Sequence, residues 1–171
     1  MSNPACQIRH ATPSDCDAVT RLFTGPKAIR GTLQLPYPSP EVWRQRLFQP
    51  EPGLITLVAC HEAELVGVLG LHTRPDRPRR RHSAELGMTV GDDWQGKGVG
   101  TALLTAAIDM ADNWLNLERL ELSVFIDNEP AVNLYKNFGF ETEGTLRRYA
   151  FRDGQFVDAF LMARLRPVSP R

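Results

Sequence analysis

Cysteine is scarce in this 171-residue chain, which limits the kinds of protein it can be. Its three cysteines, Cys6, Cys16 and Cys60, are odd in number and have no close paired spacing. This pattern excludes a scaffold built on disulfide bonds and a cysteine-rich zinc site. We therefore expect a reducing, cytoplasmic location and no bound metal.

The sequence also lacks a net charge and any long apolar run. Its 20 basic side chains are balanced by 20 acidic ones, which argues against a general nucleic-acid binder. Residues 1–9 contain no apolar core of signal-peptide length, and no segment approaches the ~20 apolar residues that span a bilayer. We therefore expect a soluble protein with neither nucleic acid nor membrane as a partner.

What the chain does contain is an ordinary globular composition, with 42% hydrophobic and 23% charged residues. A chain of this length suits one compact unit that buries roughly 70% of its unfolded surface. The expected organisation is a single domain over residues 1–171, with a core of about residues 6–166.

Strand and helix patterns alternate irregularly along the chain. A short strand from Cys6 leads into a helix for which Ser14 is the expected cap and Asp17 its reciprocal partner. Residues 24–40 are rich in Gly and Pro and show no periodicity. The remaining patterns predict a helix from Pro40, strands at 54–61, 64–72, 83–90 and 119–126, helices at 98–115 and 129–138, and a closing hairpin around Asp153 and Gly154. The order predicts an α+β fold with a mixed, mostly antiparallel central sheet flanked by helices.

The stretch DDWQGKGVGTALL, residues 92–104, joins a predicted strand to a predicted helix and contains Gly96, Gly98 and Gly100. Backbone N–H groups at such a helix start favour an anion. The spacing does not match the phosphate loop of nucleotide hydrolases, nor the dinucleotide fingerprint, which would need a glycine at Leu103. The glycines alone leave two interpretations open, an anion site and a flexible turn without a ligand.

Two motifs together carry a family resemblance. QGKGVG, residues 95–100, resembles the Gln-x-x-Gly-x-Gly pyrophosphate loop of the GNAT N-acetyltransferases. About thirty residues downstream, NEPAVNLYKNFGFE resembles the second signature of that family. The resemblance implies the GNAT acyl-CoA N-acyltransferase fold and an enzyme that uses acetyl-CoA.

A wider similarity covers most of the chain, including IRHATPSD, TLQLPYPS and YAFRDGQFVDAFLMAR. These segments are similar to a bacterial subfamily that acetylates the α-amine of L-amino acids. The similarity implies a small-molecule amine as acceptor, with direct transfer from acetyl-CoA. A protein N-terminal acetyltransferase and a non-catalytic acyl-CoA sensor remain the alternatives.

The resemblance also implies which residues bind acetyl-CoA. They are Met88, Thr89, Val90, Gln95, Gly96, Lys97, Gly98, Val99, Gly100, Thr101 and Asn128. The loop N–H groups are expected to cradle the pyrophosphate. The strand residues ahead of the loop are expected to hold the pantetheine arm and to stabilise the oxyanion.

Two catalytic residues follow from the same resemblance. Tyr135 stands at the family's general-acid position and is expected to assist the departing thiol. Glu85, on the strand before the loop, is the candidate general base. Base assistance is a small requirement for an α-amine, since a pKa near 8 leaves only about 1–1.5 kcal/mol to overcome at pH 7.

The acceptor pocket is less well defined by the sequence. Candidate residues are the segment 30–34 together with Trp43, His82, Phe125 and Tyr149. One arginine is expected to pair with an amino-acid carboxylate, and Arg30, Arg80 and Arg81 qualify equally. The basic loop of residues 74–81 is either a solvated connector or a contact for an anionic ligand. The aromatic C-terminal hairpin suggests a homodimer.

Overall fold

A central sheet organises the protein, of which the computed structural model describes residues 5–167. Within that range the sheet has seven strands in the order β1-β2-β3-β4-β5-β7-β6. The strands are β1 (Gln7–His10), β2 (Leu54–His61), β3 (Glu64–Thr73), β4 (Ser83–Val90), β5 (Arg119–Phe125), β6 (Glu141–Arg152) and β7 (Gln155–Leu165). The helices are α1 (Cys16–Leu22), α2 (Pro26–Arg30), α3 (Pro40–Phe48), α4 (Val99–Asn113) and α5 (Glu129–Asn137).

Only the β4–β5 pair is parallel among these strands, and every other neighbouring pair is antiparallel. The expected α+β fold with a mixed, mostly antiparallel sheet is therefore confirmed. The turn at Asp153 and Gly154 has positive φ at both positions, 50° and 77°, as a two-residue hairpin requires. No helix within residues 5–167 is long and apolar enough to cross a membrane.

Helices cover both faces of the sheet and create two apolar clusters. On one face α4 packs on β3, and a β-carbon at Gly67 would lie 2.9 Å from Val99 Cγ1. The missing side chain lets α4 rest directly on the strand backbone. On the other face Val19 of α1 and Phe23, which directly follows α1, join Val68 in a second, smaller cluster. The sheet is thus fixed from both sides around the region where the glycine loop begins.

The sheet splits between β4 and β5. Their pairing runs from Ser83 opposite Arg119 to Glu85 opposite Glu121 and goes no further. Beyond that point β5 continues alongside β7, while β4 continues alongside β3. The second half of β4 therefore has a free edge that faces a gap in the sheet.

The first helix differs from the sequence prediction in how it is capped. Ser14 and Asp17 do not cap it; instead the Asp15 carboxylate accepts a hydrogen bond from the Thr12 N–H at 2.7 Å. The same carboxylate accepts two hydrogen bonds from Arg9, each of 2.8 Å. This bidentate arrangement with a buried carboxylate anchors the helix start to β1, so the local capping pattern gave the wrong residues.

The ion pair between Arg9 and Asp15 makes a testable contribution to stability. Hydrogen bonds from Arg9 lower the pKa of Asp15 to about 2 from 3.8. A lowered carboxyl pKa means that this stability is present above pH 3.8 and is lost as the pH falls toward 2. Asp15→Asn is expected to lower the free energy of unfolding at pH 7 by about 2 kcal/mol.

Urea unfolding at pH 7 and at pH 3 measures this effect. The difference between wild type and Asp15→Asn should shrink at pH 3, where the wild-type contribution is already partly lost. Asp17→Asn, which changes an exposed carboxylate two positions along the chain, is the matched control and should shift stability by less than about 0.5 kcal/mol. An equal loss in both variants would contradict the role given to Asp15.

Residues 24–40, which the sequence left without secondary structure, contain the short helix α2. Asp92 accepts hydrogen bonds from the backbone N–H groups of Lys27 and Ala28, both at 2.9 Å. A side chain at Gly25 would collide with that carboxylate, since its β-carbon would lie 2.5 Å from Asp92 Cγ. The helix is therefore held by a residue from the segment that leads into the glycine loop.

Candidate active site

A cavity of about 1210 Å³ opens at the split between β4 and β5. Its walls come from the second half of β4, the start of α4, α5, and the segment from α2 to α3. Ligand pockets are typically about 300–1,000 Å³, so this one has room for more than one small molecule. The arrangement suits two substrates that meet at the free edge of β4.

The start of α4 is open to an anion. Gly98 precedes the helix with φ of 82°, in the left-handed region, and makes no side-chain cap. The first hydrogen bond of the helix runs from the Ala102 N–H to the Gly98 carbonyl. The N–H groups of Val99, Gly100 and Thr101 therefore precede the first intrahelical bond, where an anion is favoured.

The other loop residues have distinct places. Gly96 has φ of 73° and open space where a β-carbon would stand. The Lys97 ammonium lies over the Trp94 ring, 5.2 Å from its centroid, and Lys97 is absent from the cavity wall. Val99 points into the core with 1% exposure, so only its backbone could reach a ligand.

The structure explains why position 100 is a glycine, which the sequence did not reveal. A β-carbon at this position would lie 3.0 Å from Leu134 Cδ2 and 3.3 Å from Met88 Cε. The glycine therefore allows α5 and β4 to approach the first turn of α4. This contact brings the loop, the strand edge and the helix that carries Tyr135 together on one wall.

The free edge of β4 offers two N–H groups to the gap. The Gly91 N–H donates to the Val66 carbonyl of β3 at 2.9 Å. Because N–H groups along a strand alternate between its two sides, those of Val90 and Met88 point away from β3 and into the split. The N–H of Thr89 points toward β3, and the residue contributes to the cavity wall instead.

Gln95 joins the loop to this edge. Its Nε2 donates to the Val90 carbonyl at 3.3 Å. That bond accounts for a glutamine at the first position of the QGKGVG motif, because it holds the loop start against the end of β4.

Asn128 and Tyr135 both lie on α5 and both face the cavity. The Asn128 side-chain oxygen accepts from the Ala131 N–H at 3.4 Å and caps the helix. The Asn128 amide nitrogen is 3.6 Å from where a β-carbon of Gly31 would stand, on the side of the acceptor segment. The N-cap therefore leaves the amide donor directed at the cavity.

Tyr135 is buried, with its ring in an edge contact with Phe140 at 5.7 Å between centroids. Burial raises the pKa of Tyr135 to about 12, so the hydroxyl stays protonated at neutral pH. Full proton transfer from such a group to a thiolate of pKa ~8.5 is uphill by about 5 kcal/mol. The hydroxyl is better suited to stabilise a leaving thiolate by a hydrogen bond while the C–S bond breaks.

Of the three candidate arginines, Arg30, Arg80 and Arg81, only Arg30 lines the cavity. It is 57% exposed, lies 3.6 Å from Asp127, and also pairs with Asp153 of the β6–β7 turn. Arg80 pairs instead with Glu121, outside the cavity wall. Arg81 donates to the Pro75 carbonyl at 3.2 Å and is likewise outside it.

Arg152 also lines this wall, although sequence reasoning missed it. Its guanidinium pairs with Asp127, donates to the Arg30 carbonyl at 2.8 Å and lies over the Phe125 ring. Arg152 is thus committed to holding α2 against the C-terminal hairpin. Arg30, with exposed carboxylates as partners, is more readily available to a ligand.

Most of the remaining candidates for the acceptor pocket line the cavity, and one does not. The segment 30–34, Trp43, Phe125 and Tyr149 line the cavity, while His82 does not. Glu85 lies on the wall with its side chain 52% exposed, and its carboxylate accepts from Arg74 Nη2 at 3.0 Å. Within residues 5–167 no group of three potential metal ligands occurs.

The start of α4 favours an anion, and it shares one wall of the cavity with the free edge of β4 and the buried Tyr135, which suits a donor that carries phosphate. The model of the Acetyltransferase (GNAT) family matches residues 19–140, and the chain belongs to this family. It is therefore an acetyl-CoA-dependent N-acetyltransferase.

Similar proteins are found across most of the chain. It is 45% identical to the L-amino acid N-acetyltransferase AaaT of Escherichia coli (strain K12), over 93% of this chain and 97% of that one. It is 32% identical to an N-alpha-acetyltransferase of Sulfolobus acidocaldarius, over 92% and 90% of the two chains. The structure of yncA, a putative acetyltransferase from Salmonella typhimurium with acetyl-CoA, has a TM-score of 0.79 at 21% identity over 94% of each chain. This similarity confirms the expected GNAT fold.

Proposed function

We propose that the protein transfers the acetyl group of acetyl-CoA directly to the α-amine of a free L-amino acid. The observation that carries the proposal is the position of Arg30, which lines the cavity together with residues 31–34 of the acceptor segment. A guanidinium there suits the carboxylate of an amino acid. The identity to AaaT over nearly the whole chain supports the same substrate class.

The proposed mechanism uses the groups that surround acetyl-CoA: the start of α4, Asn128, the free edge of β4 and Tyr135. The N–H groups at the start of α4 bind the pyrophosphate, and Asn128 donates to the pantetheine arm. The Met88 or Val90 N–H faces the thioester carbonyl and stabilises negative charge on its oxygen. Tyr135 donates a hydrogen bond to the sulfur, and Glu85 is the sequence-derived candidate for the group that receives the proton of the amine.

Acetylation of peptide N-termini is the second candidate. It is favoured by the 32% identity to an N-alpha-acetyltransferase over 92% of this chain and by Leu33, an apolar residue of the cavity wall that is 63% exposed. Both substrates present an α-amine, but only the free amino acid also presents a carboxylate beside it. The two candidates therefore differ in whether Arg30 has a partner on the substrate.

A panel assay of thiol release from acetyl-CoA tests the proposal. The panel contains free L-amino acids, their amides, short peptides and polyamines. We expect the largest kcat/KM for free amino acids, and a decrease of at least about tenfold for the matching amides, because a charge-assisted pair is worth about 1.5–3 kcal/mol. Faster turnover of peptides than of every free amino acid would favour the second candidate.

A homodimer, a cytoplasmic location and a single domain over the whole chain remain proposals. The hairpin residues Phe151 and Phe156 are 65% and 60% exposed and stack edge to face, which supports an association through this surface. Buried, unpaired Cys16 and Cys60 suit a reducing compartment. Light scattering after size-exclusion chromatography measures the mass in solution and tests the dimer.

A further inference from the structure

His72 of strand β3 lines the cavity. None of the sequence motifs includes it. Its side chain is exposed to the cavity. It stands directly opposite Glu85 in the β3–β4 register. Side chains opposite each other on one face have β-carbons about 4.5–5.5 Å apart, so the His72 and Glu85 side chains leave the sheet next to each other.

Two glycines clear the floor beside this histidine. Gly70 and Gly87 stand opposite each other in the same register, and no atom lies within 4 Å of a β-carbon built at Gly87. A β-carbon at Gly70 would lie 3.4 Å from His72 Nε2. The imidazole therefore extends over Gly70, along β3 in the direction that leads from Glu85 toward Met88 on the neighbouring strand.

Glu85 is held in the opposite direction. Arg74, just beyond the end of β3, donates to its carboxylate at 3.0 Å. Since β3 and β4 are antiparallel, Arg74 stands on the side of Glu85 that is farther from Met88. Of the two neighbours, His72 is thus the one whose reactive atom lies toward the second half of β4, where the sheet is split.

We propose that His72 accepts the proton of the attacking α-amine, with Glu85 beside it to stabilise the imidazolium. The inference rests on the proposed function. As the N–C bond forms and the C–S bond breaks, one proton passes from the amine nitrogen to Nε2 and then to solvent. The electron pair of the C–S bond stays on the sulfur, which Tyr135 hydrogen-bonds and solvent then protonates.

The charges around His72 fit this role. Glu85 of β4 is the opposite neighbour, and Arg74 neutralises part of its charge. The other charged residues that line the cavity are Lys27, Arg30, Arg46, Glu51, Asp127 and Arg152. The negative charge of Glu85 offsets the positive charge that the imidazole carries once it has received the proton.

Kinetics of His72→Gln and His72→Ala test the assignment. Because an α-amine of pKa near 8 needs little base assistance, we expect kcat/KM for the amine to fall about tenfold, less than the ~10²–10⁴-fold that is typical for loss of a general base. The Kd of acetyl-CoA and the urea midpoint should stay unchanged. Added imidazole should restore part of the turnover of His72→Ala, because neutral imidazole supplies the missing proton acceptor.

The matched control is His82→Gln, which changes an exposed histidine outside the cavity wall and should keep wild-type turnover. Unchanged turnover in both His72 variants overturns the assignment, as does a loss that imidazole does not restore in His72→Ala. A larger loss in Glu85→Gln than in His72→Gln would return the role of base to Glu85. If the wild type acetylates no amine at all, the proposed function fails instead.

Discussion

Tyr135→Phe is expected to lower kcat about 100-fold while the Kd of acetyl-CoA changes less than about twofold. The hydroxyl is protonated throughout the working pH range because burial raises the pKa of Tyr135 to about 12. A hydrogen bond to a charged group is worth about 1.5–3 kcal/mol. The thiolate carries its charge only as the C–S bond breaks, so the loss falls on kcat and spares binding.

The phenylalanine variant keeps the ring that packs on Phe140, so its urea midpoint should be close to that of the wild type. Tyr37→Phe removes a hydroxyl from a side chain that is 97% exposed and outside the cavity wall, and serves as the matched control. Single-turnover and equilibrium measurements separate chemistry from acetyl-CoA binding. Wild-type kcat in Tyr135→Phe would remove the hydroxyl from the mechanism.

Arg30→Gln is expected to lower kcat/KM for a free amino acid about 30-fold, mainly through a higher KM. This value lies below the upper end of the range for charge-assisted hydrogen bonds, because the Arg30 side chain is exposed and solvent weakens its ion pairs. For the corresponding amino-acid amide, which has no carboxylate, wild type and variant should differ by less than about threefold. The measurement is the ratio of these two losses.

This ratio separates loss of carboxylate recognition from general distortion of the cavity wall around Arg30. Loss of the Arg30 contacts with Asp127 and Asp153 would slow both substrates alike, whereas loss of a carboxylate partner slows only the acid. Arg81→Gln is the control because Arg81 was an equal candidate by sequence and lies outside the cavity wall. A loss specific to the acid in Arg81→Gln, with none in Arg30→Gln, would overturn the assignment.

The elements that the sequence predicted are those with a clear period. Strand β4 alternates along its length, and α4 repeats apolar residues at three- and four-residue steps, so both were found within a few residues. Helix α2 has five residues between Gly25 and Gly31, too few to show a period. It depends on hydrogen bonds to Asp92, which is 65 positions from Lys27, and no local pattern encodes such a contact.

The site divides in the same way. The donor side lies in two continuous motifs, so Gln95, Asn128 and Tyr135 could be selected from the sequence, although their roles remain predictions. The acceptor side joins distant segments, and Arg152 reaches Arg30 across 122 positions. His72 could have been paired with Glu85 only if the β3–β4 register were known, and a shift of one residue would place it on the opposite face.

The contact between Arg30 and the β6–β7 turn has a consequence for synthesis of the chain. Arg30 and Asp153 are 123 positions apart, and strand β7, which holds the hairpin in the sheet, pairs with β5 up to Leu165. During synthesis α2 therefore leaves the ribosome long before the β6–β7 turn that it contacts has been made. We expect the acetyl-CoA side, which depends on residues up to Tyr135, to be complete in the nascent chain earlier than the wall that receives the amine.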